Sequence, residues 1–146
     1  MHLEFKCPET DQDSGQQKGN SGIFIQGRYE IQILDSFESK TDPNRQCGSM
    51  YNQYEPLVNA CRKPGEWQTY DIIFTAPRFN NEGSLKTPGK ITVLQNGVLI
   101  QNCAEISGPT GDVRTTNYKE SDLRQPLVLQ EHGDLVSFRN IWIREL

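Results

Sequence analysis

Apolar and polar residues alternate along most of this chain with a period of two, the spacing of a strand buried on one face. The clearest run is Arg28 to Asp35, RYEIQILD. Tyr29, Ile31 and Ile33 point one way, while Arg28, Glu30 and Gln32 point the other. This predicts a sheet with one apolar face and one decidedly polar face. Leu3 and Phe5 alternate with charged neighbours, and Gly22 to Gly27 supplies an apolar stretch just before Arg28. Tyr70, Ile72 and Phe74 alternate within Trp67 to Thr75. Ile91 to Gln95 and Val98 to Ile100 flank Asn96-Gly97, a pair suited to a type I′ hairpin because both central residues need positive φ. Leu127 to His132 ends at the turn pair Gly133-Asp134, and Val136 to Arg144 closes the chain. About seven strands and no convincing helix result. The predicted class is all-β, an antiparallel β-sandwich or jelly roll.

Polar stretches separate these runs. Residues 8–21, 36–66, 76–89 and 104–126 read as loops rich in Gly, Pro, Ser and Asn. A connection as long as 36–66 is rare in a compact domain and is usually functional. No internal repeat and no linker interrupts the chain, so its 146 residues are expected to form one domain, 1–146. The apolar fraction is 34% and the mean hydropathy −0.69, values that suit a thin two-layer fold with much loop. The formal net charge is −4, and the basic residues form no cluster, which argues against a nucleic-acid partner. No apolar run approaches the roughly 18 residues of a membrane span. Met1 to Lys6 also lack the apolar run of a signal peptide, though a removed leader is compatible with this start.

The four cysteines, Cys7, Cys47, Cys61 and Cys103, permit two disulfides. Cys47 and Cys61 share one loop region and are the favoured pair; four free thiols is the competing reading. No C-x-x-C occurs, so neither a zinc ribbon nor a thioredoxin-type motif is supported.

Several segments together resemble one family. They are Asn20-Ser21-Gly22-Ile23-Phe24 with Gly27-Arg28-Tyr29-Glu30-Ile31-Gln32-Ile33-Leu34-Asp35, and Cys47-Gly48-Ser49-Met50-Tyr51. Asn59-Ala60 and Gly65-Glu66-Trp67-Gln68-Thr69-Tyr70-Asp71-Ile72 follow, then Ala76-Pro77-Arg78-Phe79, Asn96-Gly97-Val98 and Gly108-Pro109-Thr110. Leu129 to Gly133 and the closing Phe138 to Arg144 complete the set. In this order they resemble the 3-keto-disaccharide hydrolase (DUF1080) domain family. The resemblance implies a concanavalin A-like sandwich, carbohydrate as partner, cleavage of glycosides oxidised at C3, and a bacterial, exported (periplasmic or secreted) setting. Family members usually carry about a strand pair more before the segment that matches His2 to Phe5. Its absence predicts an open sheet edge, which an oligomer partner or a further domain would cover.

The implied chemistry needs three groups. A C3 ketone acidifies the C2 hydrogen, so the site requires a base near C2, a stabiliser for the enolate oxygen and an acid for the leaving oxygen. Glu30 or His132 is the expected base and Arg139 the expected stabiliser. Gln32, Asp35, Tyr51, Tyr54 and Gln130 are expected to bind substrate, the two loop tyrosines by stacking on sugar rings. A divalent metal ion could polarise the ketone, with Asp35 and His132 as ligands. Blander readings stand beside each. Glu30 could pair with Arg28 or Arg139, His132 could be a turn residue, and Asp35 could cap a strand end. Trp67, Tyr70 and Trp142 read first as core. The competing function is a carbohydrate-binding module without catalysis on the same sandwich.

Overall fold

The computed structural model describes residues 1–11, 15–39, 41–111, 118 and 124–146. Parts of the loops expected at 8–21, 36–66 and 104–126 lie outside them. Among the described residues ten strands occur: β1 (His2–Lys6), β2 (Ser21–Ile25), β3 (Tyr29–Ile33), β4 (Gln68–Thr75), β5 (Arg78–Phe79), β6 (Leu85–Thr87), β7 (Lys90–Gln95), β8 (Val98–Glu105), β9 (Val128–Leu129) and β10 (Ser137–Trp142). Two antiparallel sheets face each other. One has five strands in the order β10-β1-β4-β7-β8, the other three in the order β3-β2-β9, and β5 and β6 form a separate hairpin. The expected β-sandwich is present.

The period of two explains the core. Leu3 and Phe5 of β1, Tyr70 and Ile72 of β4, Ile91 and Val93 of β7 and Ile100 of β8 turn inward from the larger sheet. Ile23 and Ile25 of β2 and Tyr29, Ile31 and Ile33 of β3 meet them from the smaller one. Each such side chain contributes about 1.5–3 kcal/mol by leaving water. Asn96 and Gly97 turn β7 into β8 with φ of 54° and 79°, as the hairpin motif requires. Tyr70 ties the layers together by donating its hydroxyl to the Gln32 carbonyl at 2.8 Å.

Three expectations need revision. The stretch 76–89, read as loop, contains the short β5–β6 hairpin, whose pairing shifts register between Arg78 and Phe79. The last strand ends at Trp142, which is 55% exposed and stacks on His2 rather than entering the core. Trp67 is only half-buried, sandwiched by Lys6 and Arg139. Strands β10 and β9 form edges of their sheets. An apolar groove of about 1050 Å³ opens between the layers there, lined by Ile25, Ile72, Phe74, Phe79, Leu127 and Ile143 among others.

The long segment between β3 and β4 is not loose. Ile31 bridges Met50, the Gln32 amide donates to the Ser49 carbonyl at 3.0 Å, and Tyr51 N–H donates to the Glu30 carbonyl at 3.2 Å. Residues 48–51 thus extend the smaller sheet beyond β3. Among the described residues no helix is long and apolar enough to cross a membrane.

Candidate functional site

The smaller sheet has a second face, and its register decides what lies there. Gly22 stands opposite Gln32 and Phe24 opposite Glu30, while Phe24 also faces Val128 of β9. Directly opposed residues of antiparallel strands share a face. Gly22, Phe24, Glu30 and Gln32 therefore point away from the core together. The Gln130 N–H donates to the Gly22 carbonyl at 2.8 Å, which carries this face onward to Gln130 and His132. The alternation predicted a polar face; the structure adds that this face is covered. All five residues of β3 are buried, Glu30 and Gln32 included.

Two loops provide the cover. Residues 51–53 and 107–111 are laced together: Gln53 donates to the Gly108 carbonyl at 2.9 Å and accepts from the Ser107 N–H at 2.8 Å, and Asn52 donates to the Gly111 carbonyl at 2.9 Å. Thr110 is clamped to β3, giving its N–H to the Arg28 carbonyl and accepting the Glu30 N–H on its hydroxyl at 2.9 Å. The Arg45 guanidinium sits 5.7 Å over the Tyr51 ring, backing it from outside. The resulting pocket measures about 210 Å³ and is lined by Asn20, Phe24, Glu30, Gln32, Tyr51, Thr110, Gly111, Gln130 and His132. It is smaller than the groove between the sheets, yet it is the one that holds Glu30 and His132.

Glu30 is the centre of that chemistry. Its carboxyl lies over the bare backbone of Gly22, where a Cβ would stand 2.4 Å from Glu30 Oε1. Burial pushes its pKa from 4.5 up to about 7. The orientation of the Gln32 amide that satisfies its neighbours has Nε2 donating to Glu30 Oε1 at 3.1 Å and to the Ser21 carbonyl at 2.8 Å. This holds one carboxylate oxygen. The buried Gln130 Oε1 has no partner among the described residues, so it presents an acceptor to a ligand hydroxyl.

Five of the eight expected site residues thus meet: Glu30, His132, Gln32, Tyr51 and Gln130. Three do not. Arg139 lies on β10 of the other sheet, directly across from Glu4, with Nη2 2.6 Å from Glu4 Oε2 and its guanidinium 3.9 Å above Trp67. The cross-strand pair Glu30–Arg139 does not form, because the two strands belong to different layers. Asp35 is buried beyond the end of β3, where it accepts from Lys18 Nζ at 3.1 Å and from the Phe37 N–H at 3.1 Å. It caps a turn. Tyr54 bridges Met50 and packs on the core instead of facing the pocket. Among the described residues no group of three or more His, Cys, Asp or Glu side chains is placed to hold a metal.

The placement of Arg139 carries a prediction. Arg139→Ala should leave turnover within about twofold of the parent and lower stability only modestly, because its ion pair with Glu4 lies at the surface. Steady-state kinetics and urea unfolding check both. Asn20, Phe24, Thr110 and Gly111 were not among the expected site residues. Asn20, Phe24 and Thr110 lie in the Asn20–Phe24 and Gly108–Thr110 segments that carry the family resemblance, the one signal that pointed to them.

The 3-keto-alpha-glucoside-1,2-lyase-like domain model matches residues 1–144. This chain belongs to that family. A crystal structure of a "putative glycosyl hydrolase" from Parabacteroides distasonis is similar to this family member over 99% of its length, with 49% identity and a TM-score of 0.92. The similarity covers 62% of that chain, so the lyase-like domain here spans less than two thirds of the neighbour's length. A second structure of the same description and organism matches at 22% identity and a TM-score of 0.53, covering 96% of this chain and 76% of the other. That likeness shows a shared fold. No curated protein matches the sequence.

Proposed function

We propose that the pocket on the smaller sheet binds a sugar ring oxidised at C3 and cleaves its glycosidic bond by elimination followed by hydration. The observation that carries this is Glu30: a buried carboxylate on a sheet face, raised to about 7, opening into a pocket of about 210 Å³. A base with such a pKa is ionised in useful amount near neutral pH and still holds a proton strongly once it has taken it. Family membership supports the same chemistry, since a 1,2-lyase reaction on a 3-keto-glucoside requires loss of the C2 proton.

In this reading Glu30 takes the C2 proton, and the C2–H electron pair moves into a C2–C3 enolate. Its collapse forms the C1–C2 double bond and breaks the bond from C1 to the leaving oxygen. His132, at the pocket rim, gives that oxygen a proton. Water then adds at C1 and a proton returns to C2, which regenerates the 3-keto sugar. With Arg139 elsewhere, the enolate oxygen is met by neutral donors: the Tyr51 and Thr110 hydroxyls and the Gln130 amide. Gln32 steadies Glu30, and the orphan Gln130 oxygen accepts from a sugar hydroxyl. Phe24 and Tyr51 offer aromatic surface to the C–H face of the ring.

The test is a comparison of substrates. The full chain should release the aglycone from 3-keto-glucosides and leave the matching unoxidised glucosides intact, as followed by chromatography. Binding of both without cleavage of either would instead establish a binding module.

A further inference from the structure

The segment that leaves β3 and returns to β4 carries Tyr51 into the pocket, and two cysteines bracket it. Cys47 is fully buried and Cys61 half-buried; both are free thiols. Both pack against the segment just after β3: Cys61 Sγ lies 3.7 Å from the Leu34 carbonyl, and the Cys47 N–H donates to Ser36 Oγ at 2.8 Å. One pair of side-chain amides links the two sulfurs. Gln95 Nε2 lies 3.4 Å from Cys47 Sγ, Gln68 Nε2 lies 3.5 Å from Cys61 Sγ, and the two amides are joined by a 3.0 Å bond from Gln95 Nε2 to Gln68 Oε1. The Tyr70 hydroxyl closes the far side at 3.1 Å from Cys47 Sγ.

We propose that Cys47 and Cys61 are an oxidation site: a small-molecule disulfide such as oxidised glutathione converts them to a Cys47–Cys61 disulfide that closes residues 47–61 into a loop and fixes Tyr51 against the pocket. Exchange proceeds through the accessible thiol first. Cys61 thiolate attacks one glutathione sulfur, the glutathione S–S bond breaks, and one glutathione thiolate leaves. Cys47 then gives up its proton and attacks Cys61 Sγ, expelling the second glutathione thiolate. The protein thiols lose two electrons and two protons, and oxidised glutathione becomes two molecules of glutathione. The neighbouring Cys47 thiol holds the Cys61 thiol below its ordinary range, which favours it as the attacking group, while burial holds Cys47 well above. The other two cysteines are differently placed. Cys7 is buried with its thiol on the Gly19 carbonyl at 3.7 Å, and Cys103 is exposed on β8.

The experiment equilibrates the full chain with oxidised glutathione, quenches with acid, then denatures, alkylates and maps peptides. The expected result is a cross-linked peptide pair containing Cys47 and Cys61, and a thermal midpoint higher by roughly 10 °C, reversed by dithiothreitol. Cys103→Ser should show both effects and Cys61→Ser neither. Full alkylation of Cys47 and Cys61 under conditions that modify Cys103 would overturn the proposal, as would a bridge made by Cys7 or Cys103 in their place. The readout does not involve sugar turnover, so it stands or falls apart from the proposed function.

Discussion

Glu30→Gln is expected to lower kcat on a 3-keto-glucoside by roughly 10²–10⁴-fold, the range that a positioned general base supplies. The amide keeps the shape of the side chain and most of its contacts, so KM should change little. The same substitution should stabilise the protein at high pH. The folded-state carboxyl titrates at about 7 against an ordinary 4.5, so between these values the folded chain binds more protons than the unfolded one. Its stabilising contribution is complete below 4.5 and is lost as pH rises through about 7, a total on the order of 3 kcal/mol. Glu30→Gln removes this term. Urea unfolding at pH 5 and pH 8 should show the parent losing stability relative to the variant across that interval. A merely structural carboxylate would not combine lost turnover with gained stability. The parent's kcat/KM should rise with pH through about 7, since the base must be ionised.

Gly22→Ala is the second large effect. The added methyl would stand 2.4 Å from Glu30 Oε1 and 3.0 Å from both Cδ and Cγ. The backbone at Gly22 is held by β3 on one side and by the Gln130 N–H on the other, so the strand cannot retreat. The carboxylate must move instead. Displacement of a base by about 1 Å costs on the order of 10²-fold in rate. Overpacking at such a site costs about 1–3 kcal/mol, so the variant should still fold. The expected outcome is a kcat reduced by about 10²-fold with an unchanged far-ultraviolet circular dichroism spectrum. Normal kcat in a folded Gly22→Ala variant would mean that Glu30 is not held where the structure puts it.

These two residues show what the sequence could and could not convey. The alternation in Tyr29 to Ile33 placed Glu30 and Gln32 on one polar face, and the sheet register bears this out. Gln130 and His132 were legible for the same reason, being two residues apart on one run. Alternation cannot say which sheet a strand joins. Arg139 failed on that point, because β10 pairs with β1 in the five-stranded layer. It also cannot say whether a polar face is wet or covered. Pairing of residues 48–51 to β3 and clamping of Thr110 to the same strand bury that face, and both arise from loops without periodicity. Gly22 carried no side-chain signal at all; its role appears only when Glu30 is seen lying over it. Asp35 was open to a ligand role or a turn role, and its bond from the Phe37 N–H, with Lys18 holding the other oxygen, decides for the turn.

The fate of the hydrogen at C2 reports whether Glu30 removes it. A 3-keto-glucoside deuterated at C2 should be cleaved by the parent chain with a primary isotope effect, and the free sugar should carry solvent hydrogen at that carbon. Cleavage with the deuterium retained at C2 would contradict proton abstraction by Glu30 as the step that breaks the glycosidic bond.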